Sequence, residues 1–81
     1  MTFDYNKLKI LDLVIQEGSF SQTAIRIGRT QSAVSQSISS LENELGFKLL
    51  ERYKGRIYPT DKGKELHDQI SKFFEKLDQG L

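Results

Sequence analysis

Apolar residues recur at helical spacing through most of this chain. In the first segment Leu8, Leu11, Val14 and Ile15 mark one face, and Ile10 and Leu13 widen it into an arc. This predicts a helix over 5–17 wedged into the core. Asp4 is placed to cap its start and Gly18 to end it. A short second helix is predicted over 22–27, capped by Ser21 and closed near Gly28. Phe20 precedes that cap and Ile25 lies at its fourth helical position, the spacing of a hydrophobic staple. A third helix is predicted over 31–45, with Thr30 as cap and Gly46 at its end. At about 100° per residue, Val34, Ile38, Leu41 and Leu45 fall within roughly 60° of one another. Ser32, Ser35, Gln36, Ser39 and Asn43 fall on the opposite side. Only Gly28, Arg29 and Thr30 separate the second and third helices. A tight Gly-containing turn between two short helices is helix-turn-helix spacing.

The pattern changes after Gly46. The stretch LLERYKGRIYPT places β-compatible residues at Arg52–Tyr53 and Ile57–Tyr58, with Lys54-Gly55 between them. Gly55 can supply the positive φ of a hairpin turn. Pro59 confines the second strand to an edge or ends it. The expectation is a two-stranded hairpin over 52–58 with a basic tip. Thr60 then caps a fourth helix over 61–79. Its Leu66, Ile70, Phe73 and Leu77 step by 4, 3 and 4, a heptad seam, with Phe74 beside it. Such a seam on so small a domain predicts pairing of this helix with its copy in a second chain. The expected fold class is mainly α: three helices, a small β-hairpin and a long C-terminal helix.

One stretch stands out within this order. TQSAVSQSISSLE, residues 30–42, holds five serines in thirteen residues and no charge before Glu42. Serine is a mediocre helix former. The chain as a whole is 28% charged, so an exposed face without charge needs a reason. Charge is segregated along the chain: Gly18 to Leu41 contains no acid, only Arg26 and Arg29. Arg52 to Lys64 contains five basic residues (Arg52, Lys54, Arg56, Lys62, Lys64) against Asp61 alone. The net charge of +1 carries no message by itself, but a segregated basic surface points to a polyanion.

Other chemistry has little material. Eighty-one residues make one small domain, and without Cys it has neither disulfides nor thiolate ligands. No apolar run reaches membrane-spanning length, and the N-terminal residues are not expected to act as a signal peptide. The expected location is the cytoplasm. His67 is the only histidine, and it is expected at a partly exposed helix position or a dimer rim. No carboxylate is placed by motif beside a base, and no phosphate-binding glycine pattern occurs. Neither an enzyme, a metal site nor a cofactor is expected.

A helix-turn-helix that reads DNA puts the N-terminal residues of its second helix nearest the base edges. Gln31, Ser32, Ser35 and Gln36 occupy that end, with Ser39 one turn further. Gln can bond bidentately to adenine, and Ser can donate or accept. A short uncharged face suits close approach to base pairs. The competing reading is a small-residue face at a helix–helix contact. Lys54 and Arg56 on the hairpin are candidate phosphate or minor-groove contacts, against solvated charges. Arg52 is a further candidate, against an internal ion pair with Glu42 or Glu51. Arg26 and Arg29 are candidates for phosphate, and Thr30 can both cap its helix and bond phosphate.

These residues resemble a known family. The string EGSFSQTAIRIGRTQSAVSQSISSLENELGFKLLERYKGRIYPTDKG is similar to the N-terminal DNA-binding domain of LysR-type transcriptional regulators, and the likeness covers roughly 8–66. It is carried by Gly18-Ser19-Phe20, Ala24, Thr30 through Ser35, Ile38, Leu41-Glu42, Leu45-Gly46, Leu49, Arg52, Thr60 and Gly63. The resemblance implies a winged helix-turn-helix over 1–60, with the hairpin as wing, and a linker helix over 61–81 that pairs two subunits. It implies that Gln31, Ser32, Ser35 and Gln36 lie at base edges. It further implies a bacterial homodimer on an interrupted palindromic operator, and a higher oligomer in a full-length protein. A small-molecule effector would act through a domain that family members carry beyond the linker, so this chain is expected to be the DNA-binding part of a longer protein. Thr23 stands where Ala is usual, which predicts a looser helix contact. Leu50 stands where Phe is usual, Pro59 where the second wing strand has an aliphatic residue, Lys62 where Ala is common, and Gln36 where Arg is frequent.

The expected function is sequence-specific binding of double-stranded DNA by a transcription factor. The alternatives are another winged-helix regulator family and a coiled-coil interaction module that never meets DNA. Retention on heparin against salt separates the last from the others.

Overall fold

A computed structural model describes residues 4–80 of the chain. Its elements are α1 (Tyr5–Glu17), α2 (Phe20–Ile27), α3 (Gln31–Leu45), β1 (Leu50–Tyr53), β2 (Arg56–Pro59) and α4 (Asp61–Asp78). Three of the helices begin at the expected caps. Asp4, Thr30 and Thr60 accept from the backbone N–H of Asn6, Ala33 and Gly63 at 2.8, 3.0 and 3.0 Å. Each cap satisfies a donor that the helix itself leaves open.

Helix α2 departs from expectation at its start. Ser19, not Ser21, is the cap: its backbone is extended and its hydroxyl accepts from Gln22 N–H at 3.1 Å. Ser21 lies inside the helix, its hydroxyl 3.0 Å from that of Ser19. Phe20 is therefore the first helical residue and packs against the core. Ile25 is 73% exposed, so the Phe20–Ile25 staple does not form. Thr23 is fully buried, and its hydroxyl donates to Ser19 C=O at 2.8 Å. The polar atom that Thr adds is thus bonded within α2, and the core closes around it.

Helices α1, α2 and α3 share one core, with Leu11, Val14, Val34 and Leu41 fully buried. Lys7 of α1 reaches α3 and donates to Ser40 Oγ and Glu44 Oε1, both at 2.8 Å. The chain then forms an antiparallel hairpin with Arg52 opposite Ile57 and Tyr53 opposite Arg56. Both turn residues have positive φ, Lys54 at 50° and Gly55 at 78°, as a two-residue hairpin of this hand requires. Pro59 closes β2 opposite Leu50, at a strand end where a missing N–H costs little. Ile57 is buried, and its N–H donates to Gly18 C=O at 3.0 Å. The wing is thereby tied to the C-terminal end of α1.

Helix α4 folds back onto α1, and this splits the apolar seam. Ile70 and Phe74 are buried in the chain's own core, and Leu66 packs against it. Phe74 stands edge-on to Tyr5, with ring centroids 5.5 Å apart, and Lys9 Nζ lies 4.8 Å from its centroid. Ile70 and Phe74 therefore turn inward and do not form an outward seam, and half-buried Leu66 packs against the same core. Phe73 and Leu77 remain exposed, at 51% and 37%. A polar contact reinforces the docking. His67 Nε2 lies 2.8 Å from Asp12 Oδ1 and 3.3 Å from Ser71 Oγ. His67 is thus a bridge from α4 to a buried acid on α1. No described helix is long and apolar enough to cross a membrane.

Candidate nucleic-acid interface

Helix α3 turns Val34, Ile38 and Leu41 into the core, which fixes what it turns outward. Gln31, Ser32, Gln36 and Ser39 are exposed, and Ser35 is half-buried. Among the described residues, none of these five side chains makes a hydrogen bond within the chain. The two acids of α3 are engaged elsewhere. Glu44 holds Lys7. Glu42 accepts from Leu49 N–H at 2.7 Å and Leu50 N–H at 3.4 Å, with Lys48 Nζ at 3.7 Å. Glu42 thus bonds the backbone that enters the wing. Its partners follow a loop whose path only the fold reveals. The outcome is an outward α3 face of hydroxyls and carboxamides with no charge, and buried packing of this face against another helix of the chain is ruled out by its exposure.

A groove runs between this face and the wing, lined by Ser35, Ser39, Glu42, Lys48 and Arg52. Arg52 makes no ion pair among the described residues, so neither Glu42 nor Glu51 holds it. Lys54 at the hairpin turn is likewise unpaired, its Nζ 5.4 Å from the Tyr53 ring centroid. Arg56 is arranged differently. Its guanidinium lies directly over Gly18, where a Cβ would collide with it. A cation there faces the negative end of the α1 dipole, so Arg56 is drawn back from the hairpin tip toward α1. Arg56 remains exposed and in no ion pair among the described residues, whereas Arg26 pairs with Glu17 at 3.0 Å. Arg29 is exposed beside the α3 N-terminus and in no ion pair among the described residues. Lys62 Nζ sits 5.7 Å from the centroid of Phe47, and Asp61 supplies the acid in the first turn of α4.

The structure therefore brings together Gln31, Ser32, Ser35, Gln36 and Ser39 on one helix, with Arg52 and Lys54 on the adjoining hairpin. It sets Arg56 and Arg26 against α1. Among the described residues no group of three or more His, Cys, Asp or Glu could hold a metal ion.

Comparison with known proteins places this geometry. Residues 5–64 match the model of the bacterial regulatory helix-turn-helix proteins of the lysR family. Over all 81 residues the chain is 38% identical to the uncharacterized HTH-type transcriptional regulator YfeR of Shigella flexneri, of which it covers 26%. It is 31% identical over 72 residues, 89% of the chain, to the transcriptional activator protein LysR of Escherichia coli, of which it covers 23%. The chain thus spans about a quarter of the length of the curated relatives it matches. Among solved structures, the DNA-binding domain of BenM in complex with catB site 1 DNA superposes with a TM-score of 0.88 at 30% identity, covering 95% of this chain and 86% of that one. The full-length regulator LysG of Corynebacterium glutamicum superposes with a TM-score of 0.89 at 26% identity, covering 98% of this chain and 27% of that one. The fold is that of a winged helix-turn-helix.

Proposed function

The chain belongs to the LysR family of bacterial helix-turn-helix regulatory proteins, and from that premise we propose that it binds double-stranded DNA as the reading head of a transcription regulator. Helix α3 enters the major groove, Gln31, Ser32, Ser35, Gln36 and Ser39 meet base edges, and Arg52 and Lys54 meet the backbone or the minor groove. Thr30 and Arg29 lie at the α3 N-terminus, where phosphate is favoured. The observation that carries this reading is the outward α3 face, uncharged and without a hydrogen-bond partner among the described residues, beside wing cations that are unpaired among them. The BenM domain, seen with its DNA at 30% identity, supports it.

Phe73 and Leu77 are the apolar side chains that α4 leaves open. In this reading they pair two copies, and a homodimer meets two half-sites of an interrupted palindrome. The chain has a binding role and no catalytic one. It works in the cytoplasm, where the bacterial chromosome lies, and an effector would act through a further domain. Titration against a random duplex at several salt concentrations tests the reading. Log K should fall linearly with log salt. An affinity that is undetectable at low salt would contradict it.

A further inference from the structure

Gln36 lies on the outermost line of α3. At about 100° per residue it lies about 170° round the helix from the centre of the buried Val34, Ile38, Leu41 and Leu45 stripe. It shares with Asn43, two turns further on, the line aimed most directly away from the core, and of these two exposed carboxamides Gln36 is the one nearer the N-terminal end that meets base edges. Its neighbours one turn before and after are Ser32, Ala33, Ser39 and Ser40, the residues that share its surface in a helix. All four are small, and Ser40 is held down by Lys7. Gln36 therefore stands above a floor of short side chains, exposed, with its carboxamide unbonded within the chain among the described residues. No Lys or Arg occurs anywhere from Gln31 to Leu45.

This arrangement bears on which base is read. Guanine offers two acceptors in the major groove, O6 and N7, and is matched by the paired donors of Arg or Lys. Adenine offers an acceptor, N7, beside a donor, the 6-amino group. A carboxamide carries the complementary donor and acceptor. We infer that Gln36 is the principal specificity determinant of α3 and that it selects an adenine in the half-site, with no guanine specified by this helix. The inference rests on the duplex-binding reading above and goes beyond it by naming the base and the residue. The serines gain a role from it: they hold the helix close enough for the Gln36 carboxamide, alongside that of Gln31, to reach a base edge.

Selection of bound sites from random duplex DNA tests this, carried out with the 81-residue chain and with Gln36→Ala and Gln36→Arg. Position 36 is exposed, so equal unfolding midpoints in urea should first show that all three fold alike. The unmutated chain should enrich a motif with an adenine that it prefers by about 5- to 150-fold over other bases. Gln36→Ala should relax that one position, and Gln36→Arg should replace its adenine with guanine. A motif unchanged in both variants, or guanine already chosen at that position by the unmutated chain, overturns the inference while leaving duplex binding intact. Absence of any enriched motif, together with no retention by the unselected pool, overturns the duplex-binding reading as well.

Discussion

Gly63, in the first turn of α4, packs its Cα against the backbone carbonyl of Leu49 so closely that a Cβ would overlap the oxygen. The contact sits where three elements meet. Leu49 C=O accepts from Thr60 N–H at 2.9 Å, and Thr60 Oγ1 donates to Lys48 C=O at 2.8 Å. The start of α4 is thereby keyed to the entry of the wing. Alanine is a better helix former than glycine by about 1 kcal/mol, so propensity alone favours Gly63→Ala. The obstacle is backbone, which cannot swing aside as a side chain can. Gly63→Ala should therefore destabilise the domain by about 1–3 kcal/mol in urea unfolding. A neutral or stabilising result would show that α4 and the wing can separate freely.

The Asp12–His67 contact should be a second determinant of how α4 sits. Asp12 is buried, and besides His67 it meets Gln16 at 3.0 Å and Lys9 at 3.9 Å. Hydrogen bonds to charged groups are stronger than neutral ones. His67→Ala should cost about 1–2 kcal/mol, with amide exchange quickening along α4 more than along α3. In a double-mutant cycle with Asp12→Asn the two losses should be non-additive. Full additivity would mean that the pair contributes nothing as a pair.

Adjacent phenylalanines should behave as opposites. Phe74 is 8% exposed and Phe73 is 51% exposed. Phe74→Ala should cost about 3–5 kcal/mol of stability. Phe73→Asp should change stability by less than about 0.5 kcal/mol yet shift sedimentation toward monomer. An unmutated chain that sediments as a monomer at high micromolar concentration would contradict pairing through α4.

Periodicity and caps made α1, α3 and α4 legible because each begins at a single strong capping residue and each has a continuous apolar stripe. The start of α2 was not legible: Ser19 and Ser21 are equally good caps by identity, and in the fold Ser19 takes the cap while Phe20 packs as the first helical residue. The seam of α4 was legible as apolar but not as to its partner. Its spacing is the same whether it faces a second chain or α1, and the packing of Phe74 on Tyr5 and Lys9 joins the two ends of the sequence. The outward residues of α3 followed directly from its stripe. The cations were the least legible part. Arg26 and Arg56 are exposed, but their places beside Glu17 and Gly18 at the end of α1 come only with the fold. His67 takes the partly exposed helix position expected of it, but its acid lies 55 residues away and was not legible.

The central claim is a division of labour, with α3 reading bases and the wing holding backbone. It is tested most directly by titrating a selected duplex and a random duplex across a salt series with three chains: unmutated, Gln31→Ala and Lys54→Ala. Gln31→Ala should lose about 1–3 kcal/mol on the selected duplex. It should lose little on random DNA and leave the salt slope unchanged. Lys54→Ala should weaken both duplexes alike and flatten the slope of log K against log salt by about 0.9. Equal losses on both duplexes from the two variants, or two silent variants, would contradict the claim.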